Sequence, residues 1–290
     1  MGDGRWKCEA CGSRSSATAG TIFDRTRTPL TVWFATCWQF AVRKDGISAT
    51  TLYRTLDMGS YQTAWAMLHR LRSVLVRPGR DRLRGEVEVD ESYFGGEEPG
   101  LRAGRARGKK TLVGIAIERS QPKGFGRCRM AILRDASAES LRNLLVENVQ
   151  EGAIVITDRW GPYQHATAGL YEHRHQVGSR RHAAEALPGV HRVSALAKRW
   201  LLSTHQGSVD DAHLGSYLNE FVFRFNRRRS RSRGLVFYRI LELAVQHEPV
   251  RYRDLVMNPQ PRSNPPRPPG GYGHPASLDR PPAARPWRSA

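Results

Sequence analysis

The spacing of apolar residues changes near residue 85 and divides the chain into two kinds of structure. Between residues 30 and 76 apolar positions recur every three or four residues, a period that predicts amphipathic helices. The pattern predicts three helices in this region, over PLTVWFATCWQFAVRKDG, ISATTLYRTL and SYQTAWAMLHRLRSVLV, and Ser48 is the N-cap of the second. A short helix, a turn containing glycine and a longer basic helix are typical of a helix-turn-helix.

Strands are predicted from residue 86 onward. They cover EVEVDESYF, KKTLVGIAIER, RCRMAILRD, AIVITD and YEHRHQV, with a helix capped by Ser137 before the fourth strand, a helix around 190–202, and two more over HLGSYLNEFVFRFNRR and LVFYRILELAVQ. Three strands joined by short loops should be antiparallel, whereas a strand reached through a helix should join the first in parallel. This order predicts an α/β protein with a ribonuclease H-like domain, a mixed sheet flanked by helices.

Acidic residues gather at two of these predicted strands. Asp90 lies in the first strand and Asp158 ends the fourth, and the two strands should be neighbours. Ligands of open α/β sheets collect at such strand ends. Paired carboxylates suit Mg²⁺, and a pair of such ions suits phosphodiester chemistry. We therefore predict a metal site at Asp90 and Asp158. Glu86 and Glu88 are expected to be solvated or paired with arginine.

The charge of the chain favours a polyanionic partner. The formal net charge is +19, and basic residues recur along the whole length, most densely at 102–110 and 224–233. Nucleic acid is the first candidate, because each neutralised phosphate releases counterions. The sequence has no run of eighteen apolar residues and begins with a polar segment, so we expect a cytoplasmic protein without a membrane span or signal peptide.

Several motifs together resemble the transposases of bacterial insertion sequences, in the ISXO-like group of the DDE superfamily. They are VEVDESYFGG, VITDRWGPY, LPGVHRVSALAKRWLLSTHQG and HLGSYLNEFVFRFNRR, joined in the helical region by AGTIF, PLTVWF, KDGISATTLYRTL and YQTAWAMLHRLR. The resemblance spans roughly residues 5–247. It implies a metal-dependent ribonuclease H-like domain that cuts DNA at the ends of its element and joins the freed 3′ hydroxyl to target DNA.

The resemblance also implies the site residues. The first two catalytic and metal-binding acids fall on Asp90 and Asp158. The third position, usually Glu or Asn in the superfamily, falls on His191, and Lys198 follows two helical turns later on the same face. Imidazole suits Mn²⁺ or Zn²⁺ better than Mg²⁺, so the alternative roles of His191 are to ligate weakly or to accept or donate a proton. The predicted cofactor is Mg²⁺ or Mn²⁺. Glu220 is the alternative third ligand, and its other interpretation is a salt bridge to a neighbouring arginine.

The predicted partners are the terminal inverted repeats of the element and the target DNA. The side chains expected to contact DNA are Lys198, Arg199, Arg227 and Arg228. Because a transposase must hold two DNA ends together, a homodimer or larger assembly is expected by analogy. The predicted division is a partial zinc ribbon at 1–22, a helical DNA-binding region at 23–80, the catalytic domain at 81–250 and a disordered tail at 251–290, rich in proline and arginine.

Two other functions remain open from the sequence alone. A catalytically inactive or recruited copy would act as a DNA-binding protein, and such a protein would tolerate the loss of Asp158. A nuclease of another ribonuclease H-like kind, such as a junction resolvase, would cut branched DNA without joining strands. Flanking terminal repeats would favour the mobile element over either alternative.

The amino-terminal cysteines give the first testable prediction. The family that the chain resembles usually begins with two CxxC knuckles, but this chain has one, from Cys8 to Cys11. A structural zinc needs four ligands, and Cys37 and Cys128 are predicted to be scattered buried thiols. We expect the purified monomer to hold no structural zinc. Elemental analysis that finds one tightly held zinc per chain would contradict this.

Overall fold

The computed structural model describes residues 5–95, 110–120, 122–176, 186–206, 209 and 211–257. Most of the basic run at 102–110 and of the predicted tail lies outside the described residues. Within these ranges no helix is long and apolar enough to cross a membrane.

Strands and helices have the following bounds. The strands are β1 (Arg5–Lys7), β2 (Arg14–Ser16), β3 (Glu86–Phe94), β4 (Thr111–Arg119), β5 (Phe125–Ile132), β6 (Ile154–Thr157) and β7 (Glu172–His175). The helices are α1 (Leu30–Val42), α2 (Ala49–Thr55), α3 (Tyr61–Val74), α4 (Ala138–Asn148), α5 (Pro162–Thr167), α6 (Pro188–His205), α7 (Leu214–Asn226), α8 (Arg233–Gln246) and α9 (Tyr252–Met257), with a 3₁₀ turn at Asp211–His213.

A five-stranded mixed sheet lies at the centre of the second half of the chain. Its strand order is β5-β4-β3-β6-β7. Strands β3, β4 and β5 pair antiparallel, and β6 joins β3 in parallel, as predicted. The parallel pairing follows from the crossover helix α4, which begins at the predicted N-cap, where the Ser137 hydroxyl accepts a hydrogen bond from the Ser140 backbone amide.

Strand β3 is buried on both sides because helices cover both faces of this sheet. Val87 and Val89 face a core that includes Leu144 and Tyr163, from α4 and α5. Phe94 belongs to a second core, which α6 and α7 complete. The valines and the acidic residues of β3 therefore face opposite sides of the sheet, as the sequence predicts. The face with the acidic residues, however, packs against helices rather than facing solvent.

The amino terminus forms a short hairpin of β1 and β2. Cys8 and Cys11 lie in its turn, where the Gly12 amide donates to the Cys8 carbonyl at 2.9 Å. Both cysteines are free, and so are Cys37 and Cys128, which are buried as predicted.

Helices α1 to α3 share their hydrophobic core with α8, which lies far along the chain. Trp33 and Leu68 are buried in the same cluster as Ile240. The region predicted at 23–80 thus completes its core with a helix from the predicted catalytic domain at 81–250. Residues 252–257, which the sequence assigned to the disordered tail, instead form α9 beside α3.

A buried ion pair fastens the two regions to each other. Glu220 on α7 is fully buried and accepts hydrogen bonds at 2.8 Å from Nε of Arg72 on α3 and from Nε of Arg224. The Arg72 guanidinium lies over the Tyr217 ring and that of Arg224 over the Phe40 ring. Burial alone would raise the pKa of Glu220, but the charges of Arg224 and Arg72 outweigh it and lower the pKa.

We expect Glu220→Gln to lower the free energy of unfolding by about 3–5 kcal/mol at pH 7, because it leaves two buried guanidiniums without a counter-charge. Since the folded pKa of Glu220 is lowered, its stabilisation is present above the unfolded-state pKa and is lost as the pH falls through the folded value. The difference in the free energy of unfolding between the parent and Glu220→Gln, measured by urea unfolding, should therefore shrink below about pH 4.

The matched control for this measurement is Glu242→Gln. Glu242 is exposed and pairs with Arg239 on the surface, so its loss should cost less than about 0.5 kcal/mol. An unfolding curve for Glu220→Gln that coincides with that of the parent protein at pH 7 would overturn the structural role given to Glu220.

Candidate active site

Two carboxylates lie on neighbouring parallel strands, one in the middle of β3 and the other just after β6. Strands β3 and β6 pair with Glu88 opposite Ile156. Asp90 and Asp158 each lie two residues farther along, so they lie side by side on the same face of the sheet. The negative charge of Asp158 also acts on Asp90. The structure thus brings together the two acids that the sequence singles out.

Asp90 has an unusual proton affinity for an aspartate. Burial, the charge of Glu91 and then that of Asp158 raise its pKa to about 7, against the opposing effect of the Glu91 backbone amide. That amide donates to Oδ1 of Asp90 at 2.8 Å. Near neutral pH this carboxyl group therefore exists in both protonation states.

Local hydrogen bonds fix Asp158 at the start of the loop after β6. The Trp160 backbone amide donates to Oδ1 of Asp158 at 2.9 Å, which leaves Oδ2 outside this turn. The Thr157 hydroxyl donates to the Asp158 carbonyl at 2.7 Å and lies 2.8 Å from Nε2 of His173 on β7. The Trp160 amide thus orients the carboxylate of Asp158, while the Thr157 hydroxyl fixes its main-chain carbonyl.

A buried tyrosine ties the two acidic segments together. Tyr163 on α5 is fully buried, and its hydroxyl donates to Oε2 of Glu91 at 2.7 Å. Burial and then the charges of Glu91 and Asp90 raise the Tyr163 pKa well above its usual value, so it remains a donor. Sequence reasoning missed this pair, although each residue lies within five positions of a predicted acid, in VDES and DRWGPY.

Glu88 holds helix α6 against the sheet. It is fully buried, and its Oε1 pairs with Nε of Arg119 at 2.7 Å. Of the two expectations for Glu88, solvation or pairing with arginine, the structure therefore shows the second. Its Oε2 accepts from the backbone amides of Gly189 at 2.7 Å and Val190 at 3.2 Å, at the amino terminus of α6. A side chain at Gly189 would lie 2.6 Å from the Phe125 ring, so the contact needs glycine.

Helix α6 brings a lysine to the same face of β3. Ser92 lies two residues beyond Asp90, and its hydroxyl is 2.8 Å from Nζ of Lys198 and 3.0 Å from the Ser194 hydroxyl. Burial, followed by the charge of Lys110, lowers the pKa of Lys198. Lys198 therefore contacts the strand that carries Asp90, two residues beyond that acid.

The two candidates for a third ligand lie elsewhere. His191 is on α6, but its side chain is exposed. Among the described residues, no group of three or more His, Cys, Asp or Glu side chains is arranged to hold a metal ion. Glu220 is occupied by Arg72 and Arg224. The structure therefore brings together Asp90 and Asp158 without adding either third candidate to them.

An open cleft of about 720 Å³ lies between α6, α7, α8 and the end of α1. It is lined by the other three residues predicted to contact DNA, Arg199, Arg227 and Arg228. The Arg227 guanidinium stacks over Phe223 at 3.8 Å and that of Arg228 over Phe225 at 4.0 Å. The described lining has one acid, Asp45, against a larger set of basic residues: Arg43, Lys44, Arg192, Arg199, Arg224, Arg227, Arg228 and Arg233. Its charge suits a polyanion.

The donor set of the acid pair is compatible with the predicted cation. Asp90 and Asp158 offer carboxylate oxygens, and a divalent cation held by them would counter the burial and the neighbouring negative charges that raise the Asp90 pKa. Mg²⁺ commonly takes one or two carboxylates and completes its shell with water and phosphate oxygens. Two protein ligands are therefore enough for this cation.

Paired acids on neighbouring strands of a mixed α/β fold are typical of enzymes that act on phosphate esters through metal ions. The family comparison is more specific. Residues 82–226 match the ISXO2-like transposase domain. The chain belongs to this family of insertion-sequence transposases, as the motifs predicted.

Two further comparisons add relatives. An uncharacterized protein in the transposable element ISH50 of Halobacterium salinarum is 28% identical over 240 residues, which cover 76% of this chain and 78% of that protein. A chain from the cryo-EM structure of a simian T-cell lymphotropic virus intasome in complex with PP2A regulatory subunit B56 gamma is 14% identical, with a TM-score of 0.34 over 71% of this chain and 72% of that chain. The second similarity is too low to support an argument.

The raised pKa of Asp90 predicts how stability changes with pH in the presence of EDTA. Between about pH 4 and 7 the folded chain keeps a proton that the unfolded chain releases, so the free energy of unfolding falls as pH rises. Asp90→Asn abolishes this ionisation. We expect it to be more stable than the parent at pH 8 by about 2 kcal/mol, allowing for solvent screening, and equal to it near pH 4.

Urea unfolding across this pH range measures the difference. Glu151→Gln, which changes an exposed carboxylate in a turn, serves as the control and should give no such trend. A constant difference between Asp90→Asn and the parent from pH 4 to 8 would show that Asp90 ionises in the fold without a cost.

Proposed function

We propose that this protein is a DNA transposase that cleaves DNA at the ends of its insertion sequence and transfers the freed strand into target DNA. The observation that supports this most directly is that Asp90, in the middle of β3, lies beside Asp158, just after β6. Membership in a transposase family supports the same conclusion. The strand order β5-β4-β3-β6-β7, antiparallel and then parallel, agrees with a ribonuclease H-like fold.

Asp90 and Asp158 would hold the divalent cations, Mg²⁺ or Mn²⁺. When bound, such ions activate the attacking oxygen and stabilise the leaving oxygen of a phosphodiester. The chain itself would orient the acids. The Trp160 amide fixes Asp158, and the bond between Tyr163 and Glu91 fixes the strand that carries Asp90.

Lys198 and His191 have distinct proposed roles on α6. The ammonium group of Lys198 lies beside Ser92 and would neutralise a phosphate oxygen of the scissile strand. His191, whose side chain is exposed, would supply the third ligand or accept a proton from the attacking hydroxyl or water. Both roles depend on the position of α6, which Glu88 sets.

DNA would be bound by a wider basic surface. Arg199, Arg227 and Arg228 line the open cleft and would contact backbone phosphates. Helices α2 and α3, which resemble a helix-turn-helix, would recognise the terminal repeats. Two copies or more would hold the two ends together. This assembly is proposed by analogy with the way transposases must work.

Strand joining is the activity that tests the proposal. The full chain would be incubated with DNA carrying the element's ends and Mg²⁺ or Mn²⁺, and 3′-end cleavage and joining would be measured. We expect Asp158→Asn to reduce joining by more than about 100-fold while leaving DNA binding intact, because the acid binds metal rather than DNA. Glu151→Gln should join normally.

The remaining variants separate the alternatives. His191→Ala should lose joining as Asp158→Asn does, and if it joins normally then His191 has no role in the reaction. Parent protein that binds the ends but never cuts them would identify a DNA-binding protein without catalysis. Cutting confined to branched DNA, without joining, would identify a resolvase.

A further inference from the structure

A second basic cavity lies at the junction of the two regions, away from the acid pair. This junction cavity has a volume of about 380 Å³ and lies between the end of α3, strand β5, α7 and α8. Strand β5 is an edge of the sheet, and β4 and β3 separate it from β6. The basic residues of its lining are Arg77, Arg80, Arg127, Arg129, Arg227 and Arg239.

Three of these arginines lack a carboxylate partner among the described residues. Nη2 of Arg80 donates to the Asn148 side-chain carbonyl at 2.9 Å. Arg129 donates to the Cys128 and Asp81 backbone carbonyls, and Arg227 to a backbone carbonyl of its own helix. The acceptors are all neutral. Glu147 and Glu118 act on Arg80 and Arg129 only through their more distant charges, so none of the three arginines forms an ion pair among the described residues.

Arg129 is the most unusual of the three. It is 5% exposed, and its Nε has no hydrogen-bond partner among the described residues. Burial, followed by the charges of Arg80 and Arg127, lowers its pKa to about 10, so it stays charged at neutral pH. The nearby thiol of Cys128 cannot compensate, because burial raises its pKa to about 12. A buried charge of this kind normally has a counter-ion.

The exposed arginines of the cavity already have acidic partners. Asp81, the acid in the described lining, is 77% exposed and pairs with Arg77 at 3.6 Å and Arg127 at 3.8 Å. Arg127 also pairs with Glu118 at 2.7 Å. The unbalanced charge is therefore inside the cavity, where an anion could enter from solvent.

We propose that the junction cavity binds a phosphate group through Arg80, Arg129 and Arg227. Guanidinium groups in a fixed geometry bind phosphate oxygens through charge-assisted, bidentate hydrogen bonds. The stacking of Arg227 on Phe223 and the carbonyl contacts of Arg129 hold two of these groups in place. The phosphate comes either from a DNA backbone or from a free phosphate ion, and the experiments below distinguish these sources.

Thermal unfolding of the full chain tests for the site. Sodium phosphate should raise the Tm of the parent by a few degrees over sodium chloride at equal ionic strength, because the ligand binds the folded state alone. The double variant R80M/R129M should lose this rise. It should still fold, because replacing buried charges with apolar side chains of similar volume is often neutral or stabilising.

Two further variants complete the comparison. R231M removes an exposed arginine outside the cavity and should keep the phosphate-dependent rise. R227M changes the opposite wall and should lose it, which provides a second test if the double variant does not fold. Equal Tm values of the parent in phosphate and chloride, or a full rise in R80M/R129M, would overturn the proposal.

The salt dependence of DNA binding identifies the source of the phosphate. If the cavity holds a backbone phosphate, R80M/R129M should lower the slope of log K against log salt by about one. An unchanged slope together with a lost phosphate effect would assign the site to free phosphate. Asp158→Asn should bind phosphate like the parent, so failure of this site and failure of strand joining are separate results.

Discussion

The position of α6 depends on one buried carboxylate. Glu88 neutralises Arg119 and accepts two amide hydrogen bonds from the first turn of the helix, where the helix dipole is positive. The same helix carries Lys198, which contacts Ser92 on the strand that holds Asp90. A structural acid two residues before a catalytic candidate thus sets the distance between the sheet and the helix that completes the site. The cluster of acids in EVEVDES therefore combines scaffold and site.

Local patterns explain why part of this structure could be predicted. The alternation around Val87 and Val89, the apolar run before Asp158 and the intervening crossover helix determine strand order, and strand order brings the two acids together. The buried contacts could not be predicted in the same way. Glu88 meets Gly189, and Glu91 meets Tyr163, across sequence separations where no local period applies. Their partners follow from packing, which a single sequence does not reveal.

The large positive charge of the chain also has more than one explanation. Some arginines are structural, as Arg72 is where it fastens α3 to α7 through Glu220. Others lie over aromatic rings, as Arg228 does, with their charge left for a partner. A third set, including Arg129, is buried without an acid. Net charge alone predicted a polyanionic partner, but only the distribution of carboxylates separates the arginines that support the fold from those that could bind phosphate.

The shared core of α1 to α3 and α8 has a consequence for biosynthesis. The first three helices leave the ribosome long before α8 has been translated, and until then the apolar surface around Trp33 and Leu68 lacks its cover. Contacts so distant in sequence slow folding and prolong the exposure of apolar, aggregation-prone surface. The nascent chain should therefore need a chaperone, and a copy of the gene truncated before α8 would give a product that is degraded rather than a free DNA-binding fragment.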